Sequence, residues 1–277
     1  MSELKQLVVF DLDQTLLNKA SELSELTLQT LRDMDSQGIH YTIATGRSFL
    51  SAARIIKDHT FGLPQIYTNG VVTWCPKQEQ FSFDNCLTKD ESLSALTAME
   101  SLSATPFISA INDEKQRIIF HSRFKNQIEQ SVLERLSDHQ DTLLMPIEQM
   151  APDVRVTNIS MIGPSEEVLS AEQNITSLKQ IASYSGQAAE REDYRWIDIH
   201  HNGANKGAAI ERLKTQLAVD SVICFGDGYN DLSMFDIADE CYAPANANEQ
   251  IKEKATQIIG HHDDDGVAKF LRERFSL

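Results

Sequence analysis

Short apolar runs alternate with helical periodicities at both ends of this chain, and that alternation leaves few folds open. Near the start, "LVVF" reads as a short strand buried on both faces. "ELSELTLQTLRDMDSQG" follows, with Leu23, Leu26, Leu31 and Met34 at helical spacing and Gly38 as its stop signal. "IHYTIAT" is strand-like, "RSFLSAARIIKDH" helical, and "PQIYTNG" a further short strand. Strand, helix, strand, helix, strand implies a parallel sheet with helices packed on its faces.

The same texture returns late, in "NKGAAIERLKTQLA" (helix), "SVICFGDG" (buried strand), "NDLSMFDIA" (helix), "ECYAPANA" (strand and loop) and "GVAKFLRERF" (helix). The middle differs. "QEQFSFDNCL", "TPFISAIND" and "QRIIFHS" have the character of hairpin or meander strands. "DESLSALTAMESLS" and "KNQIEQSVLERLSDH" are helical, and another strand and helix run through "NISMIG" and "AEQNITSLKQIAS". The expected fold is α/β: a Rossmann-like parallel-sheet core from residues 1–82 and 189–277, with an α+β domain inserted at 83–188. A length of 277 residues suits two such units.

In an open parallel sheet, ligands bind beyond the carboxyl ends of the strands. Polar groups stand at several of these ends: Asp11 and Asp13 after the first, Thr45 and Gly46 after the second, Asn69 and Gly70 after the third, and Asp227 after the late one, with Asn230 and Asp231 just behind it. Lys206 opens a helix in the late block. Asp11 and Asp13 are like charges at the end of a buried strand, which is costly unless a cation compensates them. Three aspartates offer hard oxygen ligands of the kind Mg²⁺ takes. With a lysine and a threonine they would surround a phosphoryl group, and a carboxylate can attack such a group.

"DLDQT", "TGR", "NKG" and "GDGYND", in that order, resemble the four signatures of the haloacid dehalogenase superfamily. The size and place of the insert, with "TNG" and "DDDGVAKFL", resemble the subgroup with a large α+β cap, the Cof-like sugar-phosphate phosphatases. The resemblance implies a Mg²⁺-dependent phosphatase acting on a small phosphate monoester, a sugar phosphate above all, with specificity set by the cap. Asp11 would be the nucleophile and a metal ligand. Asp13 would be the general acid and base, with its backbone carbonyl on the metal, and Asp227 the third protein ligand. Thr45, Gly46, Lys206, Asn230 and the backbone N–H of Leu12 would hold the phosphate, Thr45 and Lys206 counting among the catalytic groups. Asp231 would support the metal from behind its ligands. Gln14 stands where the family often has glycine, Asn205 where serine is frequent, and "APANA" where "MGNA" is commoner. A phosphomutase or phosphotransferase would use the same groups, and a phospho-aspartate signalling module shares part of them.

Other features read more plainly. Asn69 and Arg47 are either site residues or supports of its loops. His261 and His262 with Asp263 to Asp265 read as a solvated loop before the last helix, and His200 and His201 as structural residues. The net charge of −16 would repel nucleic acid and anionic membranes, so neither is an expected partner. Four cysteines without metal spacing, no N-terminal signal pattern and no run of roughly 20 apolar residues predict a cytoplasmic protein with reduced thiols.

Overall fold

The computed structural model describes residues 5–100, 102–112, 116–125, 127–137, 142–151, 154–188 and 191–277. It divides into two compact units, Met1–Phe83 with Asn205–Leu277, and Asp84–Ala204. Ser101, Asp113, Asn126, Asp138 and His139 of the predicted segments, and residue 189 of the predicted boundary, lie outside the described residues.

The first unit begins β1 (Gln6–Phe10), α1 (Glu25–Ser36), β2 (His40–Ile43), α2 (Phe49–Ile55), β3 (Gln65–Tyr67), β4 (Val72–Cys75) and β5 (Gln80–Phe83). The second unit contributes α3 (Lys89–Met99), β6 (Phe107–Ile111), β7 (Arg117–His121), α4 (Gln127–Ser137), β8 (Thr142–Pro146), β9 (Val156–Pro164), α5 (Ser165–Thr176), β10 (Ile181–Gln187) and β11 (Tyr194–His201). The first unit then resumes with α6 (Lys206–Leu217), β12 (Ser221–Phe225), α7 (Leu232–Phe235), β13 (Glu240–Pro244), α8 (Glu249–Lys254), β14 (Gln257–Ile259) and α9 (Gly266–Phe275).

The first unit is built on a parallel sheet of order β14-β13-β12-β1-β2. β1 lies between β12 and β2, and its Leu7, Val8, Val9 and Phe10 are all inaccessible to solvent. Burial on both faces explains why "LVVF" is a continuous apolar run and not an alternation. Leu7 and Val9 pack with Ile210 and Leu213 of α6 and with Met234 and Phe235 of α7. On the other face Phe10 meets Phe225, and Tyr242 meets Phe270 of α9. Helix starts are capped as their sequences require. Ser24, Ser48 and Asn205 accept hydrogen bonds from the backbone of the first turns of α1, α2 and α6.

β3 differs from the expectation of a third full parallel strand. It touches the β2 end by a single parallel bridge, Ala44 to Ile66, and otherwise pairs antiparallel with β4, which pairs with β5. The cause is the turn after it: Thr68 and Asn69 both have φ of 51°, which reverses the chain at once.

The second unit is a six-stranded sheet of order β10-β11-β9-β6-β7-β8, antiparallel except for β7 with β8. α3 and α5 cover one face through Ala95, Met99, Val168, Ala171 and Ile175. The unit ends at Ala204 and not at 188, because β11 pairs along its length with β9 and β10. "RWIDIHH" is thus a strand of the insert, a pairing set by register with distant segments that no local pattern reveals.

Candidate active site

All the charged groups singled out from the sequence belong to the first unit, and most of them meet at the carboxyl end of its sheet. The backbone N–H of Asp11 still donates to Phe225 of β12 at 2.9 Å, so Asp11 continues the sheet before the chain turns. Gln14 completes that turn with φ of 55°, the left-handed conformation that favours glycine. Its carbonyl accepts from Asn246 Nδ2 at 2.8 Å, so the "APANA" loop braces the turn.

Lys206 is completely buried at the start of α6. Its Nζ donates to Asp11 Oδ1 at 2.5 Å and to Asp231 Oδ1 at 2.6 Å. Asp231 Oδ2 accepts the backbone N–H groups of Asp227 and Gly228, each at 2.9 Å. Both oxygens of Asp231 are therefore engaged, and it clamps the "GDGYND" loop to the lysine. Asp227 Oδ1 accepts from the hydroxyl of buried Thr15 at 3.0 Å. Gly207 makes this convergence possible: a Cβ there would lie 2.1 Å from the Ser233 carbonyl oxygen, so only glycine lets α6 come this close to α7.

Ligand oxygens of Asp11, Asp227 and Asp231 lie within 4.8 Å of one another. Three carboxylates face one ammonium, and the imbalance shows in their acidity. Burial, with the neighbouring aspartates, pushes Asp11 well above the ordinary carboxylate range, against the pull of Lys206. Burial and the nearby Asp231 push Asp227 up to about 7, with Thr15 and Lys206 opposing. Burial works against the charge on Lys206, but Asp11 and Asp231 outweigh it and hold the ammonium protonated. When all are ionised the cluster is short of two positive charges. Its donors are hard oxygens, so it suits a divalent cation.

Beside the cluster, Thr45 is fully buried after β2. Its N–H donates to Ile66, its carbonyl accepts from Asn69 N–H, and its hydroxyl accepts from Arg47 N–H at 3.1 Å. Asn230 Nδ2 donates to Asn69 Oδ1 at 3.0 Å, linking two loops far apart in sequence. Gly46 lies between them; a Cβ there would come within 3.2 Å of Asn69 Oδ1. Leu12 is buried directly behind Asp11. The Asp13 carboxylate stands apart from the other three. It is gripped by Arg47, with Nε to Oδ2 at 2.7 Å and Nη2 to Oδ1 at 2.5 Å.

Asp11, Lys206, Asp227 and Asp231 are thus brought together, with Thr45, Gly46, Asn69 and Asn230 gathered as a second group of loops and Asp13 joined to Arg47. Thr15, the Arg47 grip and the Asn246 brace carried no assigned role from sequence. Thr15 stood inside the first motif, and its position two residues after Asp13 was the available signal. The histidines keep to structural work. His262 Nδ1 bonds Leu17 O at 2.8 Å, and Asp263 accepts Lys19 N–H at 3.0 Å. His200 is buried beside Tyr184 in the second unit, and His201 Nδ1 accepts Gly203 N–H at 3.0 Å. Among the described residues, no helix is long and apolar enough to cross a membrane.

The sequence profile of the haloacid dehalogenase-like hydrolases matches residues 8–271. Among curated proteins, the chain is 25% identical to the 5-amino-6-(5-phospho-D-ribitylamino)uracil phosphatase YitU of Bacillus subtilis, over 98% of each chain. Among solved structures, a haloacid dehalogenase-like hydrolase from Bacteroides thetaiotaomicron shares the fold with a TM-score of 0.75 at 22% identity, covering 98% of this chain and 99% of that one. The subclass IIB sugar phosphatase BT4131 does so with a TM-score of 0.74 at 20% identity, over 98% and 99%.

Proposed function

The chain belongs to the haloacid dehalogenase-like hydrolases and is a phosphoric monoester hydrolase; we propose that it is Mg²⁺-dependent, works through an aspartyl-phosphate, and takes small phosphorylated sugars or sugar alcohols. The buried chain from Asp11 through Lys206 to Asp231, with Asp227 alongside, carries this reading. The substrates named for YitU and BT4131, a phosphoribityl compound and sugar phosphates, support the substrate class.

Asp11 attacks phosphorus, and the substrate alcohol departs with a proton from Asp13. Water then attacks the acyl phosphate, gives its proton to Asp13, and releases phosphate while Asp11 returns as a carboxylate. Lys206 steadies the nucleophile and offsets charge as the phosphoryl group moves. Thr45, Gly46, Asn230 and the Leu12 N–H hold its oxygens. Asp11, the Asp13 carbonyl and Asp227 would hold Mg²⁺. Bound there, the ion would neutralise phosphoryl charge and supply the positive charge the aspartates lack.

Phosphate release from an aryl phosphate, with Mg²⁺, with EDTA and with Asp11→Asn, tests the reading. The expected result is release that needs the metal and falls at least about 10⁴-fold in the variant. Release that survives both would overturn the assignment of Asp11. Free phosphate as product separates hydrolysis from transfer to a second alcohol.

A further inference from the structure

We propose that Arg47 is a positioning residue for the second half of the reaction, holding the Asp13 carboxylate in the plane from which it takes the proton of the attacking water. This rests on the phosphatase reading above. The two contacts, Nε to Oδ2 at 2.7 Å and Nη2 to Oδ1 at 2.5 Å, form a parallel fork that fixes a carboxylate in rotation as well as in place. Each carboxylate oxygen has a further lone pair beyond the one the fork uses, so Asp13 stays able to accept a proton. The same free lone pair carries the proton in either direction, so the fork stays closed in both half-reactions, and an ester whose leaving group needs no proton reads the second half alone.

Arg47 is itself held at three points. Nη1 donates to Ser51 Oγ at 3.3 Å in α2, its N–H to the Thr45 hydroxyl, and its carbonyl accepts from Thr68 N–H at 2.9 Å. The Arg47 backbone is therefore fixed in the loop that carries Thr45 and Gly46 and its guanidinium is held to α2, so Asp13 is referenced to both. With side chains 25% and 43% exposed, the pair adds little to stability, which leaves orientation as its main consequence. A lysine would keep the charge and lose the plane.

In the step concerned, the water oxygen forms a bond to phosphorus and its proton passes to Asp13. The bond from phosphorus to the Asp11 oxygen breaks, and its electron pair returns to the Asp11 carboxylate. Pre-steady-state kinetics with p-nitrophenyl phosphate isolate this step, because nitrophenolate leaves without needing a proton. For Arg47→Ala we expect a nitrophenol burst approaching one per active site, then a steady state slowed about 10- to 100-fold. KM should fall in proportion and kcat/KM stay near wild type. Arg47→Lys should recover only part of the rate, and Asp13→Asn with Arg47→Ala should be no slower than Asp13→Asn alone. A fall in kcat/KM without a burst would assign Arg47 to the phosphoryl group and overturn the proposal. An unchanged steady state, or losses that multiply in the double variant, would overturn it too. The wild-type rate on the same ester, measured first, is where the underlying phosphatase reading stands or falls, so the two failures are told apart.

Discussion

The two units bury polar groups on a sheet in opposite ways. In the second, Ser160 and Asp198 are cross-strand register partners and hydrogen-bond directly. Asn158 joins both, and Arg117 reaches Ser109 on the neighbouring strand at 3.2 Å. In the first, Asp11, Lys206 and the loop carrying both Asp227 and Asp231 come from different segments of the chain and meet only where strands end. A strand-face cluster draws its partners from the adjoining strands, and among the described residues only the buried Arg117 Nε of this one lacks a partner. A strand-end cluster is assembled by the whole fold and here is left two positive charges short, which is what equips it to bind something from outside.

Removing the cation from the first cluster should have the largest effect. Lys206→Met leaves the buried carboxylates of Asp11 and Asp231 without their shared cation and should cost about 3–5 kcal/mol. The loss should be confined to the first unit. Trp74 belongs to that unit and Trp196 to the second, so single-tryptophan variants followed in urea would report each separately. Equal destabilisation at both tryptophans would break the contrast.

Gly207→Ala keeps every charge and disturbs only the approach of α6 to α7. With a Cβ 2.1 Å from the Ser233 carbonyl, it should cost about 1–3 kcal/mol and lower turnover by shifting the lysine. Full activity with unchanged urea midpoint would show that the close approach is dispensable.

Divalent cations sharpen the contrast without a mutation. Because Asp227 is raised from its ordinary 3.8 to about 7, the native protein binds more protons than the unfolded chain between those values. Stability without metal therefore falls as pH rises through that window. Mg²⁺ at about 100 times its dissociation constant should return about 2.7 kcal/mol. The rise in Tm should be larger at pH 8 than at pH 5.5, where protons compete for the same oxygens. A shift equal at both pH values would count against these carboxylates as ligands.

The smallest effect belongs to the second unit. Asp198→Asn keeps an acceptor for Ser160 and should cost about 1 kcal/mol, seen at Trp196 and not at Trp74. A loss comparable to that of Lys206→Met would make the two clusters alike.

The same contrast explains what could be read in advance. The convergence of Asp11, Lys206, Asp227 and Asp231 was legible because acids after two strands and a lysine opening a helix stand in a recognisable order. Their alternation with helices gave away the parallel sheet. The pairing of β11 with β9 was not legible, since it depends on register between segments far apart and "RWIDIHH" sits directly before the "NKG" helix. α8 and β14 escaped notice because a six-residue helix with a single apolar residue, Ile251, and a three-residue strand carry almost no periodicity. The Arg47 fork and the Asn69 bridge depend on where loops place side chains, which their spacing does not encode.

Strand order has a consequence for how the molecule is made. β1 leaves the ribosome before the second unit, yet its partner β12 emerges only after the whole of that unit. At about 5–20 residues per second, roughly ten to forty seconds separate the two. During that wait an apolar strand has β2 on one edge and nothing on the other, while the second unit has all its strands and can close around its own core. The newborn chain therefore completes the second unit before it can assemble the strand-end cluster of the first, and a truncated message would yield the former without the latter.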